Sequence, residues 1–178
     1  IRDRALLMEY LLGKTTDKKE RAYLINHFLE QFRTTLYRQT MFAEFELIAH
    51  TMAEQGQPLT RESLSKAYYE LNQKYYGAVC TVDENIANEW MRIPHFYRSY
   101  YVYVYATGLC AAVSLSDKIL SEGESAVRDY RKFLSAGCSV PPIDALKLAG
   151  IDMSSPEPIR RALGVFKDTL AQFKAVMA

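Results

Sequence analysis

Apolar residues recur at alternating steps of three and four along most of the chain, the spacing that lines one face of an α-helix. Ala22, Ile25, Leu29, Phe32 and Leu36 set the pattern, which runs on through Met41, Phe45, Ile48 and Met52 until Gly56 and Pro58 stop it. This predicts one very long helix, or two helices with a bend. After Gly13, Asp17 with Glu20 three residues later supplies its N-terminal capping signal. Thr60 caps the next helix, which carries Leu64, Tyr68, Leu71 and Tyr75 on its inner face and ends at Gly77. A short helix over "VDENIANEWMR" follows, with Asp83 as its cap. Pro94 suits a first helical turn and opens a helix expected to run to about Ser121, stopped by Gly123. "ESAVRDYRKFLSAG" and "PPIDALKLAG" predict two shorter helices, each closed by glycine. Ser155 and Pro156 open the last one, with Ile159, Leu163, Phe166, Leu170 and Phe173 as its stripe. No hairpin dipeptide, low-complexity tract or internal repeat interrupts this pattern, and the predicted class is all-α.

One segment resists. "YVYVY" alternates with period two and is β-branched and aromatic, which by propensity alone is a strand. It flows without a turn residue into "ATGLCAAVSLSDKIL", which is helical in pattern, and it has no partner strand. On a helix, Tyr97, Tyr101 and Tyr105 share one face while Phe96, Tyr100 and Tyr103 lie on another. A helix that is apolar all round is a buried one, so the expectation is a central, buried helix.

Composition narrows the function classes. The 178 residues suffice for one domain with a real core, and 49% hydrophobic and 24% charged residues are those of a soluble globular protein. A net charge of +1 gives no reason to expect a nucleic-acid or anionic-membrane partner. No apolar run approaches the roughly 20 residues that span a bilayer, and no secretory signal opens the chain. Cys80, Cys110 and Cys138 are odd in number and form no CxxC pair, which reads as free thiols in a reducing cytoplasm. The chain opens on Ile1, and "IRDRALLMEYLL" already reads as the middle of an amphipathic helix, so a piece of a longer protein is expected.

Candidate chemistry is sparse. Glu46 and His50 stand at i and i+4 and could face one ion, but two ligands make no site and no HExxH occurs. The plain reading is a solvated or hydrogen-bonded pair on a long helix; His27 sits on an otherwise polar face. Cys110 lies inside an apolar helix, where a buried thiol is inert. GxSxG, GxGxxG and Walker loops are absent. No complete catalytic constellation and no metal-ligand set is predicted within the chain. What remains is "IPHFYRSYYVYVYATG", residues 93–108, which gathers five tyrosines, a phenylalanine and His95. On composition alone it is a core helix whose hydroxyls are satisfied locally. Its functional reading is a set of phenol and imidazole donors that converge on one cleft, bind a substrate backbone and stabilise an oxyanion.

These residues resemble a known family. "RIPHFYRSYYVYVYATG" is similar to the segment downstream of the active site in the oligoendopeptidase F family, zinc metallopeptidases related to thimet oligopeptidase. "LLMEYLL", "RQTMFAEFE", "LTRESLSKAYYELNQKYYG" and "KFLSAGCSVPPIDALKLAGIDMSSPEPI" match further stretches in the same order, so the resemblance covers nearly the whole chain. It implies an almost entirely helical enzyme, enclosing a channel that admits short peptides and excludes folded proteins. It also implies a zinc held by the two His of HExxH and a downstream Glu, with the motif's Glu as general base. None of those residues is present, and the third ligand is expected just upstream of Ile1. Residues 1–178 then correspond to the C-terminal portion of the catalytic domain, inactive alone, with the remaining N-terminal part as its partner. The motif carries over onto His95, Tyr97, Tyr101 and Tyr103. Through it His95 and Tyr103 are expected in catalytic roles at the scissile carbonyl, and Tyr97 and Tyr101 on the peptide backbone. Related branches space these residues differently, so the resemblance does not assign which tyrosine faces the zinc. Cys138 stands where the family pattern has glycine, in a loop. Two other classes stay open: a non-catalytic helical peptide-binding module, and a purely structural fragment.

Overall fold

The computed structural model describes residues 2–178, with side chains from Leu6 onward; Ile1 and the side chains of residues 2–5 lie outside it. Its α-helices are α1 (Arg2–Lys14), α2 (Lys18–Gln31), α3 (Arg38–Glu54), α4 (Arg61–Tyr76), α5 (Tyr103–Glu122), α6 (Glu124–Ala136), α7 (Pro142–Leu148) and α8 (Glu157–Met177). No strand occurs among the described residues, in agreement with the all-α expectation. The chain forms two compact units, one from residues 34–106, the other from the segment through Arg33 together with Thr107–Ala178.

The predicted caps form. Asp17 accepts from the Lys19 and Glu20 backbone N–H groups, and Thr60 and Ser63 make a reciprocal capping box. Asp83 accepts from the Asn85 N–H and opens a 3-10 helix over Glu84–Arg92. Gly77 (φ 70°), Gly123 (φ 63°) and Gly137 (φ 52°) follow helix ends with the positive φ that L side chains resist. The long periodic run resolves into helix on both sides of a π-helical turn, Phe32–Tyr37. Hydrogen bonds in such a turn reach one residue further than in an α-helix, which matches the step of five from Leu36 to Met41.

In the 34–106 unit the core is Met41, Phe42 and Phe45 of α3, Tyr68 and Leu71 of α4, and Val102. Phe45 is its hub, with the ring of Tyr68 edge-on at 5.1 Å, Phe96 at 5.3 Å and Trp90 at 6.1 Å. A polar node lies beside it. The buried Glu89 carboxylate accepts from the Tyr68 hydroxyl at 2.7 Å, from Arg38 at 2.7 Å and from Arg92 at 2.5 Å. Burial alone would raise the Glu89 carboxyl, but the hydrogen bonds from Tyr68 and Arg38 and the two guanidinium charges outweigh it and hold it below the usual range. Burial, then the bond to Glu89, push the Tyr68 phenol well up.

In the other unit α2 packs on α8, with Phe32 against Phe166 at 5.2 Å. Ala111 and Leu115 of α5 meet Ala149 and Ile151 beyond α7. Lys118 donates to the Ala149 carbonyl at 3.1 Å, and the Gly150 turn (φ 76°) leaves room for that ammonium: a Cβ there would fall 2.2 Å from Lys118 Nζ. The stripe expected on α8 is displaced over its first turns, while Phe166, Leu170 and Phe173 are half-buried as a stripe requires. Pro158, Ala162 and Thr169 are its buried residues, while Ile159 and Leu163 are each 38% exposed. The small residues take the close contacts there, including the Ser114 hydroxyl donating to the Pro158 carbonyl at 2.7 Å, and Ile159 and Leu163 fall on the flank.

The helix expected from Pro94 to about Ser121 is broken. Pro94–Tyr97 is a short 3-10 turn, residues 98–102 are non-helical, and α5 begins only at Tyr103. The Tyr101 N–H donates to the Arg98 carbonyl at 3.1 Å, closing a turn whose third residue, Tyr100, has φ 53°. That is the sign a type II turn requires and an α-helix forbids. Nor is the segment buried all round, since Tyr97, Tyr100 and Tyr103 are 88%, 45% and 50% exposed. The alternation within "YVYVY" records Val102 turning into the core beside outward tyrosines, without a strand.

Candidate functional site

The bend changes which aromatic groups meet. Because residues 98–102 leave the helix, Tyr97 no longer shares a face with Tyr101 and Tyr105, and His95 is brought over them instead. The His95 ring lies parallel to Tyr101, with centroids 6.0 Å apart and planes 5° from coincidence. It meets Tyr105 edge-on at 5.7 Å, and Tyr101 meets Tyr105 edge-on at 5.5 Å. The Tyr105 hydroxyl donates to the Tyr101 hydroxyl at 3.3 Å, and the Arg98 guanidinium sits 5.3 Å from the Tyr101 ring centroid. The bond to Tyr101, with a smaller part from desolvation, raises the Tyr105 phenol above its ordinary value and keeps it a donor.

Of the four residues expected from sequence, the structure therefore unites His95 and Tyr101. Tyr97 projects into solvent before the turn, and Tyr103 stands half exposed at the first position of α5. Tyr105 completes the ring cluster and was not singled out, although its i, i+4 spacing from Tyr101 is the signal that could have found it. The cluster is exposed on the His95 side, so imidazole and phenol donors of fixed mutual orientation face outward. Such donors suit a peptide carbonyl and the negative charge that grows on its oxygen during hydrolysis.

The other candidates resolve differently. His27 is exposed and stacks on Tyr23 at 6.4 Å. Burial pushes the Cys110 thiol up to about 11, the state of an inert core cysteine. Glu46 and His50 do not converge on one point. The Glu46 carboxylate is 3% exposed and accepts from the Tyr100 backbone N–H at 2.5 Å. His50 Nδ1 lies 2.8 Å from the Glu46 carbonyl oxygen, and its ring rests 4.5 Å from that of Tyr100. A carbonyl only accepts, so Nδ1 carries the hydrogen. No group of three or more His, Cys, Asp or Glu that could hold a metal ion occurs among the described residues. No helix among them is long and apolar enough to cross a membrane.

Comparison with known proteins adds a family. The model of "Peptidase family M3" matches residues 4–165. Oligopeptidase PepF of Bacillus subtilis (strain 168) is 54% identical over 173 residues, which are 97% of this chain and 26% of that protein. Group B oligopeptidase PepB of Streptococcus agalactiae is 41% identical over 97% of this chain and 29% of its own length. The crystal structure of oligoendopeptidase-F from Enterococcus faecium superposes with a TM-score of 0.92 at 45% identity, covering 96% of this chain and 33% of that one. The chain thus spans between a quarter and a third of the length of these relatives.

Proposed function

The chain belongs to peptidase family M3, and from that premise we propose that residues 1–178 are the C-terminal helical portion of the catalytic domain of a zinc-dependent oligoendopeptidase acting on short peptides. Its part in the reaction is to hold the substrate and receive charge. As a nucleophile adds to the scissile carbonyl, the oxygen becomes an anion, and donors aimed at it bind more tightly in the transition state than before. His95 and Tyr103 take this role; Tyr97 and Tyr101 hold the peptide backbone, with Tyr105 fixing the Tyr101 hydroxyl. The observation that carries this reading is the ordered cluster of His95, Tyr101 and Tyr105 on an exposed bend. A core role would require His95 to be buried with the two half-buried tyrosines, and it is exposed.

The zinc that such enzymes use does not fit the side chains present, where no three-ligand set exists among the described residues. Its ligands, an HExxH pair and a glutamate, are assigned to the part of the catalytic domain outside this chain, which is also its structural partner. Three free cysteines suit a reducing compartment, and the cytoplasm is the location proposed.

The test uses the full-length protein. His95→Ala and Tyr103→Phe are each expected to lower kcat by about 10²–10³ with little change in KM or Tm. Near-normal kcat with a lowered Tm would return these residues to the core. Peptide binding without turnover by the unaltered full-length protein would favour the non-catalytic binding module.

A further inference from the structure

Tyr100 is the only residue other than glycine with positive φ among the described residues. Type II turns put glycine or asparagine at this position, because a Cβ is strained there. Strain of this kind persists only where surrounding groups enforce it. Two side chains of α3 surround Tyr100. Glu46 accepts its N–H, and His50, one helical turn on, lays its ring against the Tyr100 ring while its Nδ1–H is tied back to the Glu46 carbonyl.

Glu46 is also an anomaly where it stands. Its neighbours on the inward face of α3, Met41, Phe42 and Phe45, are apolar, and its second carboxylate oxygen, Oε2, is buried with no hydrogen-bond partner among the described residues. A leucine would avoid burying that oxygen, so stability does not account for a carboxylate here. What only an acceptor can supply is the bond to Tyr100. Two further bonds connect it to the ring cluster: Tyr101 N–H to the Arg98 carbonyl at 3.1 Å, and Arg98 N–H to the His95 carbonyl at 3.0 Å. A reversed peptide at Tyr100 would carry Tyr101 away from His95.

We propose that Glu46 and His50 are positioning residues, a clasp that holds the strained Arg98–Tyr101 turn and so aligns His95 and Tyr101 for the substrate. This rests on the peptidase reading above.

Three variants of the full-length protein test it: Glu46→Gln, Glu46→Leu, and Glu46→Leu combined with Tyr100→Gly. Glutamine keeps an oxygen for the Tyr100 N–H, whereas leucine does not. Glu46→Leu is expected to lower kcat by up to on the order of 10²-fold, the scale of a displaced catalytic group, with Tm unchanged or raised. Glu46→Gln should stay within a few-fold of the original. The double variant should recover at least part of the loss, because glycine adopts φ 53° unaided. Equal losses in the Gln and Leu variants, or normal kcat with a lowered Tm in Glu46→Leu, would overturn the clasp. Hydrogen exchange in the peptide covering 98–105 separates this from the parent reading: it should quicken in Glu46→Leu and not in Glu46→Gln. If His95→Ala leaves kcat intact, the peptidase role of the cluster fails, yet this exchange pattern still decides the clasp. Identical exchange in the two variants would refute it.

Discussion

Glu89 shows how one carboxylate can organise three elements. It gathers Arg38 from α3, the Tyr68 hydroxyl from α4 and Arg92 from its own 3-10 helix, and is itself 8% exposed. Its folded pKa lies below the ordinary glutamate value, so the stability it contributes is fully present above that value. That contribution is lost as pH falls through the lower folded value. Replacing it by glutamine leaves Arg38 and Tyr68 with a neutral, poorer partner and is expected to cost about 1–3 kcal/mol at pH 7 in urea unfolding. The gap between wild type and Glu89→Gln should narrow below about pH 4.5, as the wild-type carboxylate protonates. A gap that is constant from pH 7 to pH 3 would mean the node acts through shape alone. Glu46, by contrast, is an acceptor whose value lies in what it holds.

Among the elements, the helices and their caps were legible because their signals are local. Asp17, Thr60 and Asp83 cap within three residues, and each glycine stop needs only its own φ. The turn over 98–101 was not legible, because its support is Glu46, 54 positions away, and no glycine or asparagine marks it. Continuing the helix through that point put Tyr97 on the face of Tyr101, when the bend sets His95 there instead. The family resemblance supplied His95 and Tyr101, and helical spacing set Tyr105 beside Tyr101, while the approach of His95 to both rings followed only from the folded geometry. The π-helical turn is an intermediate case, written as a five-residue step inside a pattern of threes and fours. It holds one residue more than an ordinary α-turn, which makes a prediction. Deleting Tyr37, 39% exposed at the end of that turn, should leave a regular α-turn and shorten the five-residue step from Leu36 to Met41 to four. Deleting Tyr23, 71% exposed in α2, should rotate the residues beyond it by about 100° and misplace Ile25, Phe28 and Leu29. Urea midpoints should therefore fall much further for the Tyr23 deletion; equal midpoints would contradict this.

At the scale of the whole molecule, the chain is a fragment of a peptidase family M3 protein. It displays the imidazole and phenol cluster proposed to hold a peptide, yet no three potential ligands meet among its described residues. The isolated 178-residue chain is accordingly expected to hold no stoichiometric zinc and to cleave no peptide. Metal analysis beside a chelator-sensitive cleavage assay checks this, and zinc-dependent turnover by the pure chain would refute it.

The two units also differ in how the chain threads them, and this sets an order of assembly. Residues 34–106 are continuous, so every contact of that unit, including those under His95 and Tyr101, is available once Ala106 has left the ribosome. The other unit is split. Its α2 must wait for α8, well over a hundred residues further along the chain, before Phe32 can meet Phe166. Contacts between segments so distant in sequence form late, since the intervening loop must close first. Trp90, the single tryptophan, packs in the continuous unit against Phe45 and reports on it alone. In refolding, its fluorescence is expected to recover before the α8 amides gain protection, so during synthesis the bend that carries His95 and Tyr101 can mature while α8 is still being made.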